Sequence, residues 1–241
     1  MRQGSEAGEL TPGVPPIRDI YDALFAAWGP QGWWPARTRL EMIVGAILTQ
    51  NTAWTNVEKA IDRLRREDAL RLDRLHSVAL TDLAEWIRPA RFLHVKARRL
   101  RAFTTMVYDA YGGSLHRLCA EEPHRLRAVL LDVSGIGPET ADSILLYAAG
   151  YPFFVVDAYT RRFLQRHGWI RGGEGYDDVA ALFTRALSDH PDRYGEYHAL
   201  IVALGKKHCR ATPDCASCPL QGLLPPGGVF LSTPGMTGAS A

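Results

Sequence analysis

The stretch from Leu131 to Asp157, LDVSGIGPETADSILLYAAGYPFFVVD, restricts what this chain can fold into more than any other. A helix is expected to begin near Pro123, because proline suits a first helical turn. Leu126, Val129 and Leu130 then recur at helical spacing. Ser134-Gly135-Ile136-Gly137 breaks that helix, since glycines permit backbone angles that side chains forbid. Pro138 restarts it, with Thr140, Ala141, Ile144, Leu145 and Ala148 as a second packed face. A buried apolar run and one carboxylate, Asp157, follow. A turn of this kind aims backbone N–H groups outward at a helix N-terminus, where a phosphate can sit, and glycine lets it approach without a Cβ in the way. Taken alone, a Gly-x-Gly turn is equally an ordinary helix connector.

Other segments read as helices too. Ile17, Ile20, Tyr21 and Leu24 open an amphipathic helix that Gly29 and Pro30 end. Leu40, Ile43, Val44, Ile47 and Leu48 share one face of a strongly packed helix running to Gln50, and Val57, Ile61 and Leu64 mark the next. Residues 68–87 suggest two short helices that bury Leu83, Trp86 and Ile87. Helical segments follow from Ala158 to Leu164, Val179 to Leu187 and Tyr194 to Leu204. Phe153 to Val156 is the strongest contender for a strand, but so short an apolar run reads better as a span between domains. The expected fold class is therefore all-α, with residues 1–16 a disordered arm and 226–241 a disordered tail, both rich in Gly and Pro.

Apolar content of 46% in 241 residues is ample for a core, while a net charge of +2 does not announce a nucleic-acid partner. Local charge says more. Between Trp86 and Val107 lie Arg88, Arg91, Lys96, Arg98, Arg99 and Arg101 without an acid, although a solvated helix face is the plain alternative. Neither a signal peptide nor a membrane-length apolar run is visible, so a cytoplasmic protein is expected. Gly32-Trp33-Trp34-Pro35 sets two adjacent indoles on an irregular segment, where both rings can wall a flipped base or, alternatively, cap the core. Cys209, Cys215 and Cys218 crowd into ten residues, which suggests a metal rather than a disulfide framework.

Val133-Ser134-Gly135-Ile136-Gly137, Glu139-Thr140-Ala141-Asp142 and Val155-Val156-Asp157 together resemble the helix-hairpin-helix DNA glycosylases typified by endonuclease III. The resemblance covers residues 17 to 220. It implies an all-α protein in two lobes, with a six-helix barrel over 40–150 and a second helical lobe combining 17–39 with 151–225 and ending in an iron–sulfur loop. It also implies that the hairpin, Asp157 and Gln50 converge on the cleft between the lobes. Ile47-Leu48-Thr49-Gln50 matches the segment whose glutamine enters DNA at the vacated base position, and Phe92 falls where the family inserts an apolar wedge. The expected DNA contacts are thus Gln50, Arg91, Phe92, Lys96, Arg98, Gly135, Gly137 and Thr140. Double-stranded damaged DNA would be the partner of a nucleoid-associated monomer.

Glu139 occupies the position where bifunctional members carry a lysine that forms a Schiff base. A carboxylate cannot make an imine, so that lyase route is closed and hydrolysis assisted by Asp157 remains. Trp33, Trp34, Pro35 and Trp54 together with this glutamate look similar to the bacterial 3-methyladenine DNA glycosylase III branch, in which aromatics wall the base pocket. An already cationic alkylated purine needs no general acid and is drawn to indole faces. An endonuclease III-like enzyme for oxidised pyrimidines and a non-catalytic damaged-DNA-binding module are the alternatives. Cys209, Cys215 and Cys218 resemble three ligands of the family's [4Fe-4S] loop, but no fourth cysteine follows and Cys119 lies in the barrel. A zinc site completed by His208 is the lesser expectation.

Overall fold

The protein is seen here in a computed structural model that describes residues 13–187 and 190–231; the expected arm and tail lie outside these apart from 13–16 and 226–231. Helices form wherever apolar residues recur every three to four positions. α1 (Ile17–Trp28) buries Ile17, Ile20 and Leu24 on one stripe and ends at Gly29. α2 (Arg39–Thr49) is capped by Thr38, whose hydroxyl accepts from the Glu41 amide, and is buried from Leu40 through Leu48. α3 (Trp54–Arg66), α4 (Leu72–Ser77) and α5 (Leu80–Trp86) lead to a single 3-10 turn at Arg88–Ala90. α6 (Leu93–Tyr111), α7 (Leu115–Cys119), α8 (Pro123–Leu131) and α9 (Pro138–Ile144) follow, and α9 widens into a π-helical turn at Leu145–Ala149. α10 (Ala158–Arg166), α11 (Tyr176–Ala186) and α12 (Pro191–Lys207) complete the long elements. No strand occurs among the described residues, and Phe153–Val156 is extended chain without a partner strand.

The described residues divide into two units, one within Gly32–Val155 and Asp189–Gly195, the other within Met1–Gln31, Val156–Ser188 and Glu196–Ala241. The sequence placed the first boundary at 39/40; it falls earlier because the Trp33–Pro35 segment packs its rings on Trp54 and Tyr147 of the larger unit. That unit has one apolar core, drawn from α2 to α9 and including Ile43, Leu48, Leu64, Leu100, Phe103 and Leu145. Arg127 of α8 donates Nε to Asp142 Oδ1 of α9 at 2.7 Å, an almost buried pair that fixes the two helices of the hairpin to each other. The smaller unit is centred on Tyr197. Its hydroxyl donates to the Ile17 carbonyl at 2.8 Å, and its ring meets Tyr21 and Phe183 edge-on.

Candidate functional site

Asp157 is the N-cap of α10. Its Oδ1 accepts from the Thr160 amide at 2.7 Å and the Thr160 hydroxyl at 2.9 Å, while Oδ2 lies 3.6 Å from His198 Nε2 on α12. Burial by itself would raise the Asp157 carboxyl, yet the His198 imidazole and the Thr160 donors outweigh it and hold the group below the usual carboxylate range. The site is therefore an ionised, nearly buried carboxylate with one oxygen engaged by its helix and the other facing an imidazole. His198 was not foreseen, because 41 residues separate it from Asp157 and no short motif links them.

In the larger unit the hairpin is built as expected, but its glycines differ. Gly135 has φ +86°, the backbone that favours glycine, and a Cβ there would also press on the Arg99 side chain. Gly137 sits at φ −95°, an ordinary backbone, with open space where a Cβ would stand. The reading that both glycines adopt forbidden angles is corrected to Gly135 alone. Thr140 is buried, whereas Glu139 is exposed in the first turn of α9, where a carboxylate complements the helix N-terminus. Gln50 is held against this hairpin: its Nε2 donates to Gly135 O at 3.0 Å and Thr140 Oγ1 at 2.9 Å, and Arg99 Nη1 donates to its Oε1.

The basic run resolves into different fates. Arg88 pairs with Glu85 at 2.5 Å, Arg101 donates to the carbonyls of Leu75 and Val78, and Arg99 is committed to Gln50. Lys96 is only 1% exposed, so the expected DNA contact from it is corrected: a buried ammonium cannot reach phosphate. Its Nζ donates to Thr52 Oγ1 at 2.5 Å, Ala90 O at 2.7 Å and Leu48 O at 2.8 Å. Burial, with the nearby Arg99 and Arg91 charges, pushes its pKa down to about 8. Arg91, Phe92 and Arg98 are exposed. Arg91 and Phe92 have φ of 61° and 45°, left-handed backbone that turns Phe92 outward with 57% of its surface exposed.

The aromatic residues do meet. Trp34 packs edge-on to Trp54 with centroids 5.2 Å apart, Tyr147 lies 5.2 Å from Trp34, and Trp33 lies 6.1 Å from Trp54. Trp34, Pro35 and Trp54 line a cavity of about 340 Å³, a size usual for small-ligand sites. Glu58, Glu41, Asp62 and Arg65 line it as well, and Glu58 Oε1 accepts from Trp54 Nε1 at 2.9 Å. Trp33 does not line it.

Cys209, Cys215 and Cys218 border one cavity in the smaller unit. Arg166, buried in α10, donates Nη1 to Cys209 Sγ at 3.2 Å and to Arg210 O at 2.6 Å, bracing the loop. His208 borders the same cavity, but its ring stacks on Trp28 and its Nδ1 meets Ser217. Among the described residues no three His, Cys, Asp or Glu gather closely enough to hold one metal ion. Three thiols around one cavity, with the Arg166 guanidinium beside Cys209, are donor chemistry of the kind an iron–sulfur cluster takes.

Residues 44–188 match the family described as HhH-GPD superfamily base excision DNA repair protein. A protein of Methanocaldococcus jannaschii named putative DNA repair glycosylase is 46% identical over 206 residues, covering 85% of this chain and 94% of that protein. The crystal structure of the Helicobacter pylori 3-methyladenine DNA glycosylase bound to 1,N6-ethenoadenine is similar at a TM-score of 0.71 and 29% identity, over 79% of this chain and 97% of that one. A non-covalent endonuclease III–DNA complex shares the fold at a TM-score of 0.74 and 24% identity, over 86% and 93%.

Proposed function

The chain belongs to the HhH-GPD superfamily of base excision DNA repair proteins and is a DNA glycosylase of that family, and from this premise we propose that it is monofunctional and releases alkylated purines of the 3-methyladenine type from duplex DNA. The observation that carries the glycosidic chemistry is Asp157: a carboxylate kept ionised although buried, with Oδ2 not engaged by the helix cap. As the bond between C1′ and the base nitrogen breaks, the base leaves with the bonding pair, and positive charge grows on the sugar. Asp157 stabilises that charge, and a water adds its oxygen to C1′ while Oδ2 accepts its proton. A cationic alkylated base departs neutral, so no acid need protonate it.

Base choice rests on the cavity bordered by Trp34, Pro35 and Trp54, with the Glu58 carboxylate at its wall. Indole faces and a carboxylate favour a cationic ring over a neutral one by about 0.5–2 kcal/mol. Arg91, Arg98 and the hairpin at Gly135–Thr140 supply DNA backbone contacts, Phe92 is the wedge, and Gln50 reaches DNA by releasing Gly135 O and Thr140. Glu139 replaces the imine-forming lysine. Base-release assays on alkylated, oxidised and undamaged duplexes, with borohydride trapping at abasic sites, test the whole reading. Release of alkylpurine without a trapped adduct is expected. Release of oxidised pyrimidine instead would overturn the base assignment, and an efficient adduct would overturn the monofunctional one.

Cys209, Cys215 and Cys218 would hold a [4Fe-4S] cluster through three thiolates, and Arg166 beside Cys209 offsets their negative charge. The cluster's contribution is structural, closing a loop that otherwise depends on a few hydrogen bonds. Anaerobically purified protein is expected to be brown with about four irons per chain. One zinc, or no metal, would sink the cluster while leaving the glycosylase reading intact.

A further inference from the structure

Lys96 is a strange residue to find in a core. It is 1% exposed, no carboxylate acts on it, and the charged groups that do, Arg99 and Arg91, are both cations. Such a burial is costly unless every proton is used. Here they are used on two segments that are far apart in the chain. Leu48 O is in the last turn of α2 and Thr52 Oγ1 follows it, so these two bracket Gln50 and Asn51. Ala90 O closes the 3-10 turn immediately before Arg91 and Phe92. The Thr52 hydroxyl itself donates to Ala90 O at 2.6 Å, which joins the two segments directly and completes a ring with the ammonium. The Phe92 ring lies 5.9 Å from Nζ, within reach of a cation–π attraction.

Both segments carry left-handed, non-glycine residues at their tips: Asn51 at φ 52°, Arg91 at 61° and Phe92 at 45°. Backbone of this kind persists only where surrounding contacts over-determine it. Lys96, together with the Thr52–Ala90 hydrogen bond that it accompanies, is the contact common to both. We propose that Lys96 is a positioning residue that ties the Gln50 segment to the Phe92 turn, so that the two backbone segments meet the duplex as one preformed unit, from which the glutamine and the wedge unstack the target base together. The proposal rests on the reading of Gln50 and Phe92 as the DNA-penetrating residues, and it assigns Lys96 no contact with substrate. Preorganisation of this sort lowers the barrier by fixing geometry before DNA is met.

The test compares a duplex whose damaged base is paired with the same base in a single-nucleotide bulge, where it is already unstacked. Lys96→Met matches the apolar stem of the side chain and removes the ammonium. Loss of these buried hydrogen bonds is expected to slow release from the paired duplex by about tenfold, and from the bulge by no more than about twofold. Equal loss on both substrates, or none on the paired one, overturns the proposal. A 2-aminopurine beside the target base gives a second readout: its fluorescence should rise on binding wild type and rise less with Lys96→Met at saturating protein. This readout works without catalysis, so a wild type that unstacks the base yet releases none would defeat the glycosylase reading and leave Lys96 standing. An unchanged fluorescence rise in the variant defeats Lys96 alone. Should Lys96→Met melt at too low a temperature to assay, Thr52→Val removes the bridging hydroxyl while leaving the ammonium two acceptors, and the same paired-against-bulge contrast decides.

Discussion

Lys96 in the larger unit and Asp157 in the smaller are both charged and both nearly buried, yet they are held in opposite ways. Lys96 has no ion partner and directs its protons to two carbonyls and a hydroxyl that the fold itself supplies. Asp157 has an imidazole facing it, and only one of its oxygens is engaged by its own helix. The environments act accordingly: burial wins at Lys96 and pushes its pKa down to about 8, whereas at Asp157 the partners win over burial and the acid stays ionised. A buried charge whose capacity is filled by backbone holds a shape. One that keeps an oxygen outside its cap can act on something that arrives.

The sharpest way to break this contrast is Asp157→Asn. Base release is expected to fall at least about a hundredfold in single-turnover assays, as for loss of a preorganised electrostatic group. Duplex affinity should hold or rise, and stability should change little, since asparagine caps a helix about as well as aspartate. Undiminished release would make Asp157 a cap and nothing more.

His198→Asn comes next. Without the imidazole, the burial that opposes ionisation meets only the Thr160 donors, so the carboxyl pKa rises and the acid limb of the rate profile moves to higher pH. The rate at neutral pH should drop about tenfold. An acid limb that stays in place would mean His198 does not tune Asp157.

A smaller effect sharpens the Lys96 side. Its folded pKa of about 8 lies below the ordinary 10.5, so between those values the unfolded chain holds a proton that the folded chain has released. Stability of the wild type should therefore rise with pH across that window, by about 1 kcal/mol per pH unit at most, and the rise should vanish in Lys96→Met. Urea unfolding at several pH values reads it; the same slope in both proteins would contradict the burial argument. Arg98→Ala is the exposed control, expected to weaken duplex binding slightly and to lower the log–log salt slope by about one without altering release.

Much of this was legible in the residues. Pro123, Gly135 and Pro138 mark the hairpin by punctuation alone, and α1, α2 and α12 follow apolar periodicity. Lys96 was expected at the DNA because it stands in a run of six cations that the resemblance sets against the duplex. Yet the same periodicity contained the correction: Lys96 stands on the stripe of Leu100, Phe103 and Val107, at spacings of four, seven and eleven. Position on the helix outweighed charge. His198 and Arg166 could not be read out, since their partners lie on other elements or depend on how loops fold back, and sequence distance hides both; Glu58 was within reach, since it stands four residues after Trp54 on α3. Arg99 was visible as a cation but not as the side chain that lies over Gly135 and holds Gln50.

The left-handed backbone at Phe92 narrows what can replace it over generations. Branching at Cβ is poorly tolerated at positive φ, so isoleucine, valine and threonine are barred from this tip however well their bulk would suit the task. Leucine, methionine, tyrosine and glutamine remain open. Lineages descended from this chain are thus free to vary the chemistry of the wedge but not to branch it at Cβ, and drift at position 92 should wander through side chains unbranched at that atom.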